Sequence, residues 1–310
     1  MSQFFTQAIL TATVASGIAL ATPFLLASLG ETIGQRSGVI NLGLDGIMLL
    51  SAFTSYYVAL NTGNLGLAVL SGVGVGFLMG IATAFISVTL KAEQGISGIG
   101  VYLFGLGLSD LLFVKLVGTP LPIASLPAFR IPVLADIPIL GPMLFQQTLL
   151  VYFAFLLVPV VTFILDRTTY GMKIKAAGEN PAAADSLGVS VARIRWSAVL
   201  IGCSMAGLAG TSLLLYDGIF QQNLTQSEGF IAVALVYFGA WTAVGVMGGS
   251  LLYGLVAAVV LAWKALGIIP LSASDLAATA PAVLTVLALL WVGRRFRQPA
   301  VLGKPYERGE

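Results

Sequence analysis

The chain has 310 residues, 58% of them hydrophobic and 9% charged, with a formal net charge of +2. Soluble domains carry roughly 25% charged residues, so this composition excludes a water-soluble fold and makes lipid the main solvent. A single cysteine and the absence of histidine exclude an internal disulfide and remove the commonest metal ligand and general base; the small net charge argues against a nucleic-acid partner.

The expected fold class is all-α: a polytopic membrane helical bundle of about nine transmembrane segments, forming one transmembrane domain over residues 1–310. A crossing needs about 20 apolar residues, and stretches of that kind lie at 8–29, 39–60, 65–90, 95–117, 146–166 and 195–216. The first lacks a basic leader region and a small-residue cleavage site, so it reads as a permanent helix. The second carries Gly38, Gly43 and Gly46 and is expected to be broken. Gly72, Gly74, Gly76 and Gly80 in the third have a spacing that permits close helix packing. The apolar run 229–264 is too long for one crossing and is interrupted at Gly245, Gly248 and Gly249, so it divides into a short half-helix and a full span. A last stretch covers 278–293.

The basic residues set the expected orientation. Arg36, Lys91, Arg167, Lys173, Lys175, Arg193, Arg195, Arg294, Arg295, Arg297, Lys304 and Arg308 fall on one set of connections, while the other set holds Arg130, with Lys264 at a boundary. Positive charge collects on the cytoplasmic side. The loop at about 167–194 and the tail 294–310 are therefore expected in the cytoplasm and the N-terminus outside, in a bacterial plasma (inner) membrane. The outer loop 118–145 contains Pro120, Pro122, Pro127, Pro132, Pro138 and Pro142 and is expected to be stiff and non-helical. It is either a cap that receives a soluble partner or a plain linker.

The polar stretch GMKIKAAGENPAAADSLGVSVARIRW, residues 171–196, spells a short helix. Asn180 suits the cap, Pro181 the first helical position, and Ala182, Ala183 and Ala184 are strong helix formers; Gly188 suits the end. A helix of about seven residues is marginal alone in water, so it gains stability by packing on the membrane domain or on another protein.

Gly178, Asn180, Pro181, Ala183 and Gly188, followed by SMAGLAG at 204–210, resemble the permease subunits of ABC importers, nearest to the ribose and nucleoside-type branch. ETIGQRSGVINLGLDGIMLLSA at 31–52 is similar to the second-helix signature of nucleoside-type permeases, with Asp45 where Glu is usual. EGFIAVALVYFG at 228–239 is similar to their later motif, with Glu228 where Arg is more usual, and the tail LGKPYERGE is also similar. The resemblance implies a coupling helix, formed by Gly178, Glu179, Asn180, Pro181, Ala182, Ala183, Asp185 and Gly188, seated in a cleft of an ABC ATPase subunit. It further implies a second, non-identical permease and a substrate-binding protein on the outer face. No glycine-rich loop ending in Gly-Lys-Ser/Thr occurs, since Gly303-Lys304 is followed by Pro305. No cofactor is expected on this chain, therefore, and ATP and Mg belong on the partner ATPase.

Six residues are candidates for the substrate path: Asn41, Asp45, Phe104, Asp110, Glu228 and Phe230; none is read as a metal ligand. An ionisable group inside a span costs about 2.5–3.5 kcal/mol on insertion scales and so faces protein or water. Asp45 follows Asn41 by four residues, on the same helical face. Two readings of Asp45 stand, a ligand contact or a bond to a neighbouring helix end, and Asp110 divides likewise between transport and structure. Phe104 and Phe230 offer faces for a nucleobase or sugar, or simple packing. The sequence is thus read as a transport subunit for nucleosides, without enzymatic activity of its own. The rivals are an importer for ribose or another simple sugar and a proton-coupled secondary transporter using Asp45 or Asp110.

Overall fold

The computed structural model describes residues 7–292 and 297–307; Arg294, Arg295 and Arg308 of the expected basic tail lie outside them. Helix α1 (Gln7–Arg36) is 30 residues, roughly 45 Å at 1.5 Å per residue. It is followed by α2 (Leu44–Thr62), then α3 (Leu65–Ala84) with a π-helical turn at Phe85–Thr89, and α4 (Gln94–Leu116). After the proline-rich segment come α5 (Leu140–Leu144), α6 (Leu149–Arg167), α7 (Thr169–Glu179), α8 (Pro181–Ser186) and α9 (Val191–Asp217). The last helices are α10 (Glu228–Phe238), α11 (Ala243–Ala265), α12 (Ser274–Ala278) and α13 (Ala280–Val292). Among the described residues, six helices are long and apolar enough to cross a membrane: α1, α3 with its π turn, α4, α6, α9 and α11. α10 is a shorter apolar helix.

α2 is not among these six, yet it lies at the centre of the bundle. Its 19 residues carry Asp45 and several hydroxyls, yet it is buried from Leu44 to Phe53 because other helices, not lipid, surround it. Ser55 Oγ lies 2.7 Å from Thr211 Oγ1 of α9, so its polar groups find partners inside protein. The second segment is not the expected broken helix: α2 runs uninterrupted from Leu44 to Thr62, and residues 37–43 are a turn between α1 and α2, with Gly38 at φ +91°.

α9 is the axle of the fold, its apolar stretch the most enclosed of the six crossing candidates. Small residues let its neighbours reach its backbone. A Cβ on Gly76 would stand 2.5 Å from Cys203 O, and one on Gly210 would stand 2.0 Å from Met48 O. Gly72 and Gly80 are similarly hemmed in, whereas Gly74 faces open space; three of the four closely spaced glycines therefore serve packing.

The proline-rich segment departs from the wholly helical expectation through two three-residue strands, β1 (Ala128–Arg130) and β2 (Gln146–Thr148), antiparallel with Phe129 opposite Gln147. Nor is it wholly non-helical, since it contains α5 and a 3-10 turn at Leu134–Asp136. It holds two similar strings, Ile131-Pro132-Val133-Leu134 and Ile137-Pro138-Ile139-Leu140. In each, the leucine N–H reaches back to the proline carbonyl at 2.8 Å, and the β-branched residue between them takes a positive φ, +70° at Val133 and +68° at Ile139.

Candidate functional site

The bundle has a basic end, where Arg36, Lys91, Arg195 and Lys304 collect, and a proline-rich end. At the basic end, Thr168 Oγ1 accepts from Gly171 N at 3.1 Å and starts α7. The sequence reading missed this helix; the signal was Thr168 ahead of buried Gly171, Ile174, Ala177 and Gly178 at helical spacing. α8 is built as its residues require. Asn180 Oδ1 accepts from Ala183 N at 3.0 Å, Pro181 occupies the first turn, and Gly188 ends the unit at φ +82°.

The eight residues of this unit divide by exposure. Pro181 is buried, and Gly178 lies so close to the chain behind it that a Cβ would stand 2.2 Å from Arg36 O. Glu179, Asn180, Ala182, Ala183 and Gly188 are exposed, with Asp185 half-buried among them. Ala184 packs inward with Ala177 and Val191. The following Leu187 is 83% exposed. The result is a narrow ridge of mixed polar and apolar residues, seated on the bundle through Pro181 and Ala184 and exposed along its outer side.

Behind the ridge, a chain of hydrogen bonds ties the α1–α2 turn to α10 and α11. Glu31 Oε1 accepts from Gln35 Nε2 at 2.9 Å and from Asn41 N at 3.0 Å. Gln35 Oε1 accepts from Trp241 Nε1 at 2.7 Å, and Arg36 Nε donates to Trp241 O at 2.8 Å. Asn41 is consumed by this turn: its Oδ1 accepts from Gly43 N at 2.9 Å and its Nδ2 donates to Cys203 Sγ at 3.4 Å. Glu93, just ahead of α4, accepts from the Ile96 and Gly95 amides, and these bonds hold its carboxyl below the usual carboxylate range.

Three other path candidates gather around the loop 218–227 and the start of α10. Asp45, wholly buried, accepts from Gly229 N at 2.8 Å through Oδ1 and from Thr225 Oγ1 at 3.1 Å through Oδ2. It therefore serves as the cap of α10, whose own preceding residue, Ser227, sits at φ +70° and makes no side-chain cap bond. Asp110 Oδ1 accepts from Asn223 N of the same loop at 3.3 Å. Phe230 meets Tyr102 edge-on at 5.2 Å between ring centroids.

Glu228 differs from its neighbours. Its Oε2 is buried and has no hydrogen-bond partner among the described residues, whereas both oxygens of Asp45 are used. Phe104 stands apart, 56% exposed on α4. Among the described residues, no three of Cys, Asp and Glu are grouped as a metal site would need. Sequence reasoning missed Glu31, Gln35, Thr225 and Arg195, whose partners are mostly backbone atoms or residues far along the chain.

The sequence profile of the family described as "Branched-chain amino acid transport system / permease component" matches residues 13–292. A protein of Haloferax volcanii named as a candidate glucose ABC transporter permease is 38% identical over 85% of this chain and 80% of its own length. The guanosine ABC transporter permease protein NupQ of Bacillus subtilis is 32% identical over 97% of this chain and 98% of its own. The nucleoside ABC transporter permease protein NupC of Lactococcus lactis is 31% identical over 91% and 92%. No solved structure was found to match the chain.

Proposed function

Because the chain belongs to the branched-chain amino acid transport system / permease component family, we propose that it is the membrane-spanning subunit of an ATP-binding cassette importer for nucleosides. It is a multi-pass transport component and not an enzyme. The observation that carries the importer reading is the ridge at α8, a capped, exposed helix held against the bundle in a chain that has no phosphate-binding loop of its own. Gly178, Glu179, Asn180, Pro181, Ala182, Ala183, Asp185 and Gly188 form the surface that an ATPase subunit grips. ATP and Mg reside on that partner, and this chain binds no cofactor.

The nucleoside reading draws on two relatives named for nucleosides that span nearly the whole chain. Glu228 is the residue best placed to act on such a ligand: an unpaired buried acceptor favours a molecule that brings hydroxyl or amine donors. Asp45 and Asp110 shape the path by holding the loop 218–227 and the start of α10, Phe230 and Phe104 supply ring faces, and Asn41 supports the α1–α2 turn. Nine crossings follow if α2, α10 and α13 join the six long helices. The basic end then faces the cytoplasm of a bacterial plasma membrane and the N-terminus lies outside. A second, non-identical permease completes the pathway, and a substrate-binding protein delivers ligand to the outer face.

A second reading, import of a simple sugar, is favoured by the Haloferax relative. Uptake into proteoliposomes holding the complete transporter separates the two. Excess guanosine or adenosine should abolish uptake of labelled nucleoside while ribose and glucose leave it intact; competition by the sugars alone would reverse the assignment. Accumulation with ATP withheld would remove the importer reading and favour a proton-driven carrier. Ala183→Trp, which thickens the ridge, should cut uptake at least about tenfold, as loss of one good interface contact does.

A further inference from the structure

We propose that residues 299–307, clamped by Arg195, form a strap that pulls the α1–α2 turn along with α7 and α8; this rests on the importer reading above. The strap crosses the basic end and touches four parts of the bundle. Val301 N donates to Gly178 O at 3.1 Å, at the end of α7, and Gly303 N donates to Gly38 O at 3.1 Å, in the α1–α2 turn. Lys91 Nζ, between α3 and α4, lies 2.9 Å from Glu307 Oε1. Tyr306 packs on the Ala177, Ala184 and Val191 cluster that seats α8.

Arg195 fixes the strap from within α9. Only 3% exposed, it donates from Nε to Ser37 O at 3.1 Å and from Nη1 to Lys304 O at 3.0 Å. Both bonds go to backbone carbonyls, one in the α1–α2 turn and one in the strap. Burying a guanidinium is unfavourable unless it is well bonded, and here Nη2 is left without a partner among the described residues. The planar fork gains the ability to hold two carbonyls at a set separation, which a lysine ammonium on a flexible stem does not match. Gly38 belongs to the same device, since a Cβ there would stand 2.8 Å from Arg195 Nη2.

The strap matters because transport needs a return stroke. Gly178 already abuts Arg36 O, but a steric contact transmits only a push. Hydrogen bonds at Gly178, Gly38 and Ser37 resist separation, so they make α7 and α8 drag the turn when the ridge is drawn away. That turn leads directly into Asp45, the cap of α10. Arg195 is thus a positioning residue: it touches no substrate and acts by keeping the strap on the turn.

The test uses the complete transporter, with its ATPase, partner permease and binding protein, and measures substrate taken up per ATP hydrolysed. Val301→Pro removes the N–H that reaches Gly178, and Arg195→Met removes both guanidinium bonds. Each should assemble and hydrolyse ATP near the unmodified rate while uptake per ATP falls about tenfold, the effect of losing a buried hydrogen bond worth about 1.4 kcal/mol. Arg195→Lys should restore little of it. Lys91→Glu and Glu307→Lys perturb the strap without touching the interior; each alone should lower the ratio about twofold and the pair together should recover it, as befits an exposed ion pair. Unchanged uptake per ATP in both Val301→Pro and Arg195→Met would overturn the strap, as would a fall in uptake matched only by a fall in recovered complex. Uptake that continues without ATP would instead overturn the importer reading and the strap with it.

Discussion

The helices α8 and α10 both begin with an acidic or amide side chain accepting a backbone N–H, but the acceptors come from opposite sources. At α8 it is Asn180, three residues from the amide it meets; at α10 it is Asp45, 184 residues away on another helix. A local cap stabilises its own turn and leaves the rest of the molecule free to move past it. A borrowed cap ties two helices together, so whatever shifts α2 shifts the start of α10 and Glu228 with it. The exposed helix is therefore secured by its own sequence neighbour, and the buried helix start by a residue of another helix.

Substitutions can break or sharpen that contrast. The largest effect should come from Asp45→Ala, which strands the Gly229 amide and the Thr225 hydroxyl inside protein and should destabilise the solubilised chain by about 3 kcal/mol, read by thermal unfolding. Asp45→Asn keeps an acceptor and should lose about 1 kcal/mol; equal losses in the two variants would mean that charge, not capping, is what α10 needs. Gly76→Ala forces a methyl against Cys203 O and should cost about 2 kcal/mol by overpacking. Gly74→Ala, in open space two residues earlier, should be neutral or gain up to about 1 kcal/mol of helix propensity. Matching behaviour in the two would deny that α3 is pressed onto α9.

The local cap should matter less. Asn180→Ala is expected to lose about 1 kcal/mol, visible as faster amide exchange at Ala183 while global unfolding hardly changes. Glu93 offers the gentlest probe. Its lowered pKa means the contact stabilises the start of α4 above the ordinary glutamate value of 4.5 and is lost only as pH falls through the lower folded value. A carbon-13 titration of that carboxyl should find its midpoint below 4.5; a midpoint at or above it would show that the Ile96 and Gly95 bonds do not favour the charged form.

The same contrast explains what the sequence could reveal. Asn180, Pro181 and Gly188 act on neighbours within a few residues, so their order along the chain was enough to place α8. The apolar stretches that became α1, α3, α4, α6, α9 and α11 were legible because lipid rewards a long apolar run whatever its partners. The buried turn 37–43 was hinted at by its glycines, but the start of α2 at Leu44 depends on Glu31 and Asn41 bonding across ten residues. Arg195 read as one more cytoplasmic charge; its partners are the carbonyls of Ser37 and Lys304, and every residue has a carbonyl, so no residue type marks them. Asp45 and Glu228 looked equivalent as acids in apolar surroundings, and only the fold separates the saturated carboxylate from the one with an idle oxygen.

Cys203, the single thiol of the chain, lies sealed between α9 and the α1–α2 turn, where Asn41 Nδ2 points at its sulfur. Water-borne maleimides should therefore find nothing to react with on either surface of the native protein. Any cysteine introduced at Ser186 on the ridge or at Asn223 near Asp110 becomes a unique address, and impermeant reagents applied to sealed vesicles of known sidedness would report which aqueous compartment each face sees.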